Sequence, residues 1–128
     1  MMNIRQFGSS LKHALRGVMV VLEQEQSFRI QVLLSFLALS LAWIYPLSGF
    51  ERTVVLLLIG SVLTLEMINS VFERIVDTFK PRIHPVVKDI KDIMAGTVFI
   101  ASFIALCVGL LIFGPHLFRT YAFLVFYE

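Results

Sequence analysis

Three apolar runs, 30–48, 53–72 and 93–113, decide what this chain can fold into. A helix needs about 20 residues at 1.5 Å each to cross the ~30 Å hydrocarbon layer of a bilayer, and each run is just long enough. In lipid the backbone must satisfy its own hydrogen bonds, so runs of this length become helices. Of the 128 residues, 58% are hydrophobic and 16% charged, whereas a soluble domain is nearer half and a quarter. That balance excludes a disordered chain and an ordinary soluble enzyme. The one cysteine, Cys107, forms no intrachain bridge and reads as a small packing residue. A net charge of +2, scattered along the chain, excludes a nucleic-acid binder. The expected fold is all-α and membrane-embedded, one domain over 1–128.

The first two runs are joined by a short turn with Pro46, Ser48 and Gly49 as breakers, and the second and third by a polar segment from Arg74 to Asp92 that includes Pro81 and Pro85. Ahead of the first run, over 3–28, Phe7, Leu11, Ala14, Leu15, Val18 and Leu22 recur at spacings of three and four, with Lys12, Arg16 and Glu23 elsewhere around the helix. This is the pattern of an amphipathic helix lying on a membrane surface. The first long apolar run begins too late for a cleavable signal peptide. After Gly114-Pro115, the tail 114–128 is rich in Phe and Tyr; it is too short to cross and reads as an interfacial anchor.

Nine Lys/Arg (Arg5, Lys12, Arg16, Arg29, Arg74, Lys80, Arg82, Lys88, Lys91) fall on one side of the three crossings, against Arg52 and Arg119 on the other. By the positive-inside rule the N-terminus and the loop between the second and third spans face the cytosol and the C-terminus faces outward. Thr97, Ala101, Ala105 and Gly109 form a small-residue stripe on the third span, which lets helices approach closely in lipid. Three spans make a thin bundle, and oligomerisation would add packing.

The second span carries the anomaly. Glu66, Asn69, Ser70, Glu73 and Asp77 stand at i, i+3, i+4, i+7 and i+11, which at about 100° per residue is one stripe roughly 100° wide. Ionisable residues inside a span cost ~2.5–3.5 kcal/mol each on the insertion scale and rarely occur without a function. If the span enters at Thr53, Glu66 lies about 20 Å in and roughly 10 Å short of the cytosolic edge, and Asp77 reaches water. The stripe is thus a ramp of carboxylates from the bilayer to the cytosol. A carboxylate held beside a lipid headgroup can work as a base, and carboxylates nearer water can hold a hard cation such as Mg²⁺. Hydrogen bonding to neighbouring helices would account for Asn69 and Ser70, but poorly for three acids on one stripe.

Other groups could converge there. Lys91 and Asp92 open the third span on the cytosolic side, where a lysine can neutralise phosphate, and Glu25 and Arg29 have the spacing of an i, i+4 pair. Glu23 competes weakly for the role of Glu25. The chain has no glycine-rich phosphate loop, no protein-kinase signature set, no Cys/His cluster for zinc and no serine nucleophile with a partnered histidine. His13 and His116 read as interfacial residues.

The segment Glu66-Met67-Ile68-Asn69-Ser70-Val71-Phe72-Glu73-Arg74-Ile75-Val76-Asp77 resembles the E-x-x-N-S-x-x-E-x-x-x-D signature of the prokaryotic diacylglycerol kinase family, which includes the undecaprenol kinases. Gly17, Glu25 and Arg29 match that family's spacing on the surface helix, and His84-Pro85 with Lys91-Asp92 matches the loop entering the third span; the likeness runs from about 5 to 113. Val71, Phe72, Ser27 and Gln6 depart from the usual residues, Ser27 standing where many members have Asn.

The resemblance implies a three-helix membrane kinase, a homotrimer with sites between subunits, that moves the γ-phosphate of ATP to a lipid alcohol, undecaprenol or diacylglycerol. It implies that Glu66 is the base, that Glu25 and Glu73 hold Mg²⁺ on the ATP phosphates, and that Asn69 orients Glu66. It places Lys91 and Asp92 on the nucleotide, with Asp77, Arg82 and His84 near it, and Arg29 with Asn69 and Glu66 on the lipid side. The Gly17–Glu25 spacing and the His84-Pro85 loop lean toward undecaprenol. A non-catalytic membrane protein, an inactive kinase relative or an ion-conducting oligomer are the alternatives that the residues leave open.

Overall fold

The computed structural model describes residues 4–78 and 85–126. They form four helices: α1, Ile4–Gln24; α2, Gln26–Ile44; α3, Gly49–Thr78; and α4, Pro85–Phe126. Of these α2, α3 and α4 are long and apolar enough to cross a membrane. α3 packs along both α2 and α4, and α1 touches the bundle more lightly. The expected architecture of three spans and a surface helix holds, with boundaries that differ for identifiable reasons.

A single extended residue separates α1 from α2. Glu25 (φ −106°, ψ 116°) donates its N–H to Val21 O at 2.8 Å and accepts the N–H of Arg29 at 3.3 Å. It therefore closes one helix and opens the next, a few residues before the break that periodicity placed near Phe28. This re-aims the chain from the surface into the bilayer and puts the Glu25 side chain on the bend. Phe7, Leu11, Leu15 and Val18 of α1 stay exposed, as does every residue from 5 to 19, so the apolar stripe of this amphipathic helix is uncovered by the rest of the chain.

α2 stops at Ile44 because the residue before a proline is driven out of the helical region: Tyr45, ahead of Pro46, is extended (φ −85°, ψ 147°). α3 starts at Gly49, earlier than hydropathy placed it, through a capping box. Ser48 Oγ accepts the N–H of Glu51 at 3.2 Å, and Glu51 Oε2 accepts that of Ser48 at 2.7 Å. α4 opens on Pro85, at a first-turn position where proline sacrifices no hydrogen bond.

α4 also corrects an expectation. Gly114-Pro115 begins no separate tail: the helix runs through Pro115 to Phe126. Interior proline removes one i→i−4 hydrogen bond and favours a kink, and here the helix continues through it. His116, beyond Pro115, stacks on Tyr45 with ring centroids 5.5 Å apart, which ties this stretch to the α2–α3 turn. Beside it Ala42, Leu47, Val55 and Phe113 form a buried cluster.

Most large apolar side chains point outward, Trp43 at 87% and Leu111 at 76% exposure among them. Facing hydrocarbon, such side chains lose nothing by exposure, and interhelical polar contacts help to hold the bundle instead. One is the bond from Gln31 Nε2 of α2 to Ser102 Oγ of α4, at 3.0 Å.

Candidate active site

The inner half of α3 carries the site. Glu66 and Ser70, one turn apart, are only 4% and 2% exposed, and among the described residues they are the buried polar ones. Burying a carboxylate in an apolar bundle is costly unless it is bonded. Its partner comes from the first turn of α2: Ser27 Oγ donates to Glu66 Oε2 at 3.3 Å across 39 residues of sequence. Glu25 and Glu73 both lie near enough for their charge to act on Glu66. Glu66 and Glu73 of α3 and Glu25 of the α1–α2 bend are therefore close enough to interact through their charges.

The next turns of α3 continue the ramp. Asn69 Nδ2 donates to Glu73 Oε1 at 3.4 Å, so the amide steadies Glu73, whereas the family likeness pointed it at Glu66. Asn69 Oδ1 is buried without a partner; leaving an acceptor so costs ~1–3 kcal/mol. Lys91 Nζ donates to Asp77 Oδ1 at 3.0 Å, bringing the start of α4 onto the foot of the stripe, and Glu73 also acts on Lys91 through its charge. Asp92, one residue on, is exposed. Arg82 and His84 lie outside the described residues.

The expected Glu25–Arg29 pair does not form. With an extended residue at the bend, Arg29 Nη1 donates instead to Glu23 O at 3.0 Å, and Glu25 Oε1 lies 3.5 Å from Arg74 Nη2. The i, i+4 rule presumes one continuous helix, and Glu25 stands where there are two. Arg29 is exposed and held on the backbone of α1. Sequence reasoning thus missed Ser27 as the partner of Glu66 and Arg74 as that of Glu25. Ser27 showed only as a departure from the family pattern, and Arg74 only as the cation after Glu73.

Among the described residues no group of three or more His, Cys, Asp and Glu side chains closes around a metal position. Mg²⁺ does not need such a cage: it takes one or two carboxylates and completes its shell with water and phosphate oxygens. Glu25 and Glu73, hard oxygen donors near a third carboxylate, with the unpartnered oxygen of Asn69 close by on α3, suit that ion. Like charges gathered in one place favour a cation among them.

Comparison with known proteins shows the family of the chain. Residues 12–113 match the family described as prokaryotic diacylglycerol kinase. The chain is 33% identical over 114 residues to the undecaprenol kinase of Bacillus subtilis, covering 89% of this chain and 93% of that one. It is 30% identical over 113 residues to the diacylglycerol kinase of Haemophilus influenzae (86% and 90% covered), and 29% identical over 89 residues to that of Pseudomonas aeruginosa (70% and 72%). A signature matched in sequence, three membrane-crossing helices and a carboxylate stripe on the middle one agree: this chain is a lipid kinase and belongs to the prokaryotic diacylglycerol kinase family.

Proposed function

We propose that this enzyme transfers the γ-phosphate of ATP to the hydroxyl of a membrane lipid alcohol, with Mg²⁺ as cofactor. The observation that carries the reading is Glu66, a carboxylate 4% exposed on a membrane-crossing helix, bonded by Ser27 and sharing its region with Glu25 and Glu73. Glu66 is the base. The lipid hydroxyl gives its proton to the Glu66 carboxylate as its oxygen forms a bond to the γ-phosphorus; the bond from that phosphorus to the β,γ-bridging oxygen breaks and ADP leaves. Glu66 then releases its proton to solvent. Phosphoryl transfer of this kind depends mostly on positioning and on neutralising charge.

Glu25 and Glu73 are the residues that would hold Mg²⁺, which when bound neutralises the phosphate oxygens. Arg74, beside Glu25, keeps that carboxylate turned to the site, and Asn69 does the same for Glu73. Lys91, Asp92 and Asp77 take the nucleotide at the watery end. Arg29 serves the lipid side; Asn69, expected there with it, is committed to Glu73. Asp77 stands eleven residues beyond Glu66, about 16 Å along the helix, so one stripe can meet a hydroxyl in the bilayer and a triphosphate in water.

The enzyme works in the bacterial inner membrane as a homotrimer with sites between subunits. Its N-terminus and the polar connection between the second and third spans face the cytosol, and its C-terminus faces outward. The distribution of Lys and Arg supports the orientation; the outward-facing apolar surface of a thin bundle and the half-buried Ala101, Ala105 and Gly109 support assembly. Between the two alcohols, likeness to the B. subtilis undecaprenol kinase over nearly all of both chains favours undecaprenol and a place in carrier-lipid salvage, with diacylglycerol recycling to phosphatidate the second reading. Assaying both alcohols in mixed micelles with ATP, with and without Mg²⁺, is expected to give a kcat/KM at least ~10-fold higher for undecaprenol, about 1.4 kcal/mol of discrimination. Turnover of neither alcohol overturns the proposal.

The nucleotide end yields a separate expectation. Lys91→Ala should raise KM for ATP by about 10-fold, the loss of one charge-assisted contact worth ~1.5–3 kcal/mol at most. The Lys91–Asp77 pair is solvent-exposed, so thermal stability should barely change. Initial-rate kinetics at varied ATP beside a melting curve separates the two.

A further inference from the structure

Glu66 has two oxygens, and a base needs one of them free and aimed. Its bond to Ser27 Oγ, 3.3 Å long, engages Oε2. Ser27 sits in the first turn of α2, whose helix begins at Gln26 with no side-chain capping bond from Glu25. The first N–H groups of a helix lack internal partners and carry the positive end of its dipole. The carboxylate thus meets a hydroxyl donor mounted on the electropositive end of a neighbouring helix. Phe28, the next residue, is 3% exposed and anchors that turn in the bundle, so the hydroxyl is carried by a packed element and not by a loose loop. The other carboxylates near Glu66 repel it, and Asn69, the amide best placed by sequence to orient it, is spent on Glu73.

We propose that Ser27 is a positioning residue for the phosphoryl transfer. Its hydroxyl holds Oε2 so that Oε1 is the oxygen presented to the lipid hydroxyl, and it keeps Glu66 from swinging away from Glu25 and Glu73. This deepens the reading of Glu66 as the base and rests on it. An uncharged donor suits this role, because it orients the carboxylate without forming an ion pair that would tie up the base.

The test compares wild type with Ser27→Ala, Ser27→Thr and Glu66→Gln in mixed micelles. Ser27→Ala is expected to lower kcat about 10-fold while KM for ATP stays within about two-fold, since the nucleotide end is untouched, and Ser27→Thr, which keeps the hydroxyl, is expected to restore at least half of the wild-type kcat; ~10-fold is what one hydrogen bond of ~1.4 kcal/mol supplies. A Ser27→Ala enzyme with wild-type kcat overturns the proposal. So does a Ser27→Thr enzyme as slow as Ser27→Ala, or a loss that appears in KM for ATP. Should Glu66→Gln itself turn over normally, the reading of Glu66 fails; should Glu66→Gln be inactive and Ser27→Ala normal, only the role of Ser27 fails. Melting curves of each variant show whether a slow enzyme is a folded one.

Discussion

Glu66→Gln is expected to lower kcat by about three orders of magnitude, the middle of the ~10²–10⁴-fold range that a positioned general base contributes. The substitution is nearly isosteric, and the amide oxygen can still accept the bond from Ser27 Oγ that now reaches Oε2. Removing a charge from a position 4% exposed, beside two other carboxylates, relieves a desolvation cost and a repulsion. The variant should therefore melt no lower than wild type and bind nucleotide with undiminished affinity. Kinetics in mixed micelles, nucleotide binding by calorimetry and a melting curve check the three expectations. An enzyme that keeps its kcat would mean that another group takes the proton. A variant that loses both turnover and nucleotide affinity would mean that Glu66 acts on the phosphates.

Glu73→Gln should have the second-largest effect, of a different kind. Glu73 accepts the bond from Asn69 Nδ2, and its charge acts on both Glu66 and Lys91; it stands between the proposed base and the proposed nucleotide end. As a hard ligand for Mg²⁺ it would be one of very few from protein, so its replacement by a neutral amide should raise the Mg²⁺ concentration for half-maximal activity at least ~10-fold and lower kcat ~10²-fold even at saturation, a total of roughly 4 kcal/mol. Glu66→Gln should leave the Mg²⁺ midpoint where it is. A Mg²⁺ titration of both variants therefore assigns the two carboxylates to separate roles. If the midpoint moves with Glu66→Gln and stays with Glu73→Gln, the roles are reversed.

The proposed division of labour between the two carboxylates follows from where they stand on α3. Glu66 is buried at bundle level, and Glu73, two turns on, is half-buried. A base for a lipid hydroxyl belongs at bilayer depth, where Glu66 lies packed among the helices, and a ligand for a phosphate-bound cation nearer water, where Glu73 is half-buried. The helix supplies both with one stripe because 3.6 residues per turn keeps i and i+7 on the same face while separating them by about 10 Å.

The chain announced its class by hydropathy alone. Runs of twenty apolar residues admit only membrane helices, and charges at helical spacing in one of them mark a site because lipid makes an idle charge expensive. Both arguments rest on one-dimensional periodicity. The first held: α2, α3 and α4 are long and apolar enough to cross. For the second, the structure buries Glu66 with Ser70 on one face of α3, and the site itself is the proposal that the variants above test. What periodicity could not reveal is where helices end and which side chains meet across them. The bend at Glu25, the capping box at Ser48 and the helix continuing through Pro115 depend on single backbone torsions and on local contacts such as the stacking of His116 on Tyr45. Neither leaves a mark in a hydrophobic pattern. The contacts that define the site, Ser27 to Glu66, Glu25 to Arg74 and Lys91 to Asp77, join residues 14 to 49 positions apart. Such pairs are decided by how the helices lie against one another. The order of residues determined that a row of acids would enter the bilayer; only the packing of α1, α2 and α4 around α3 decided which donor holds each acid.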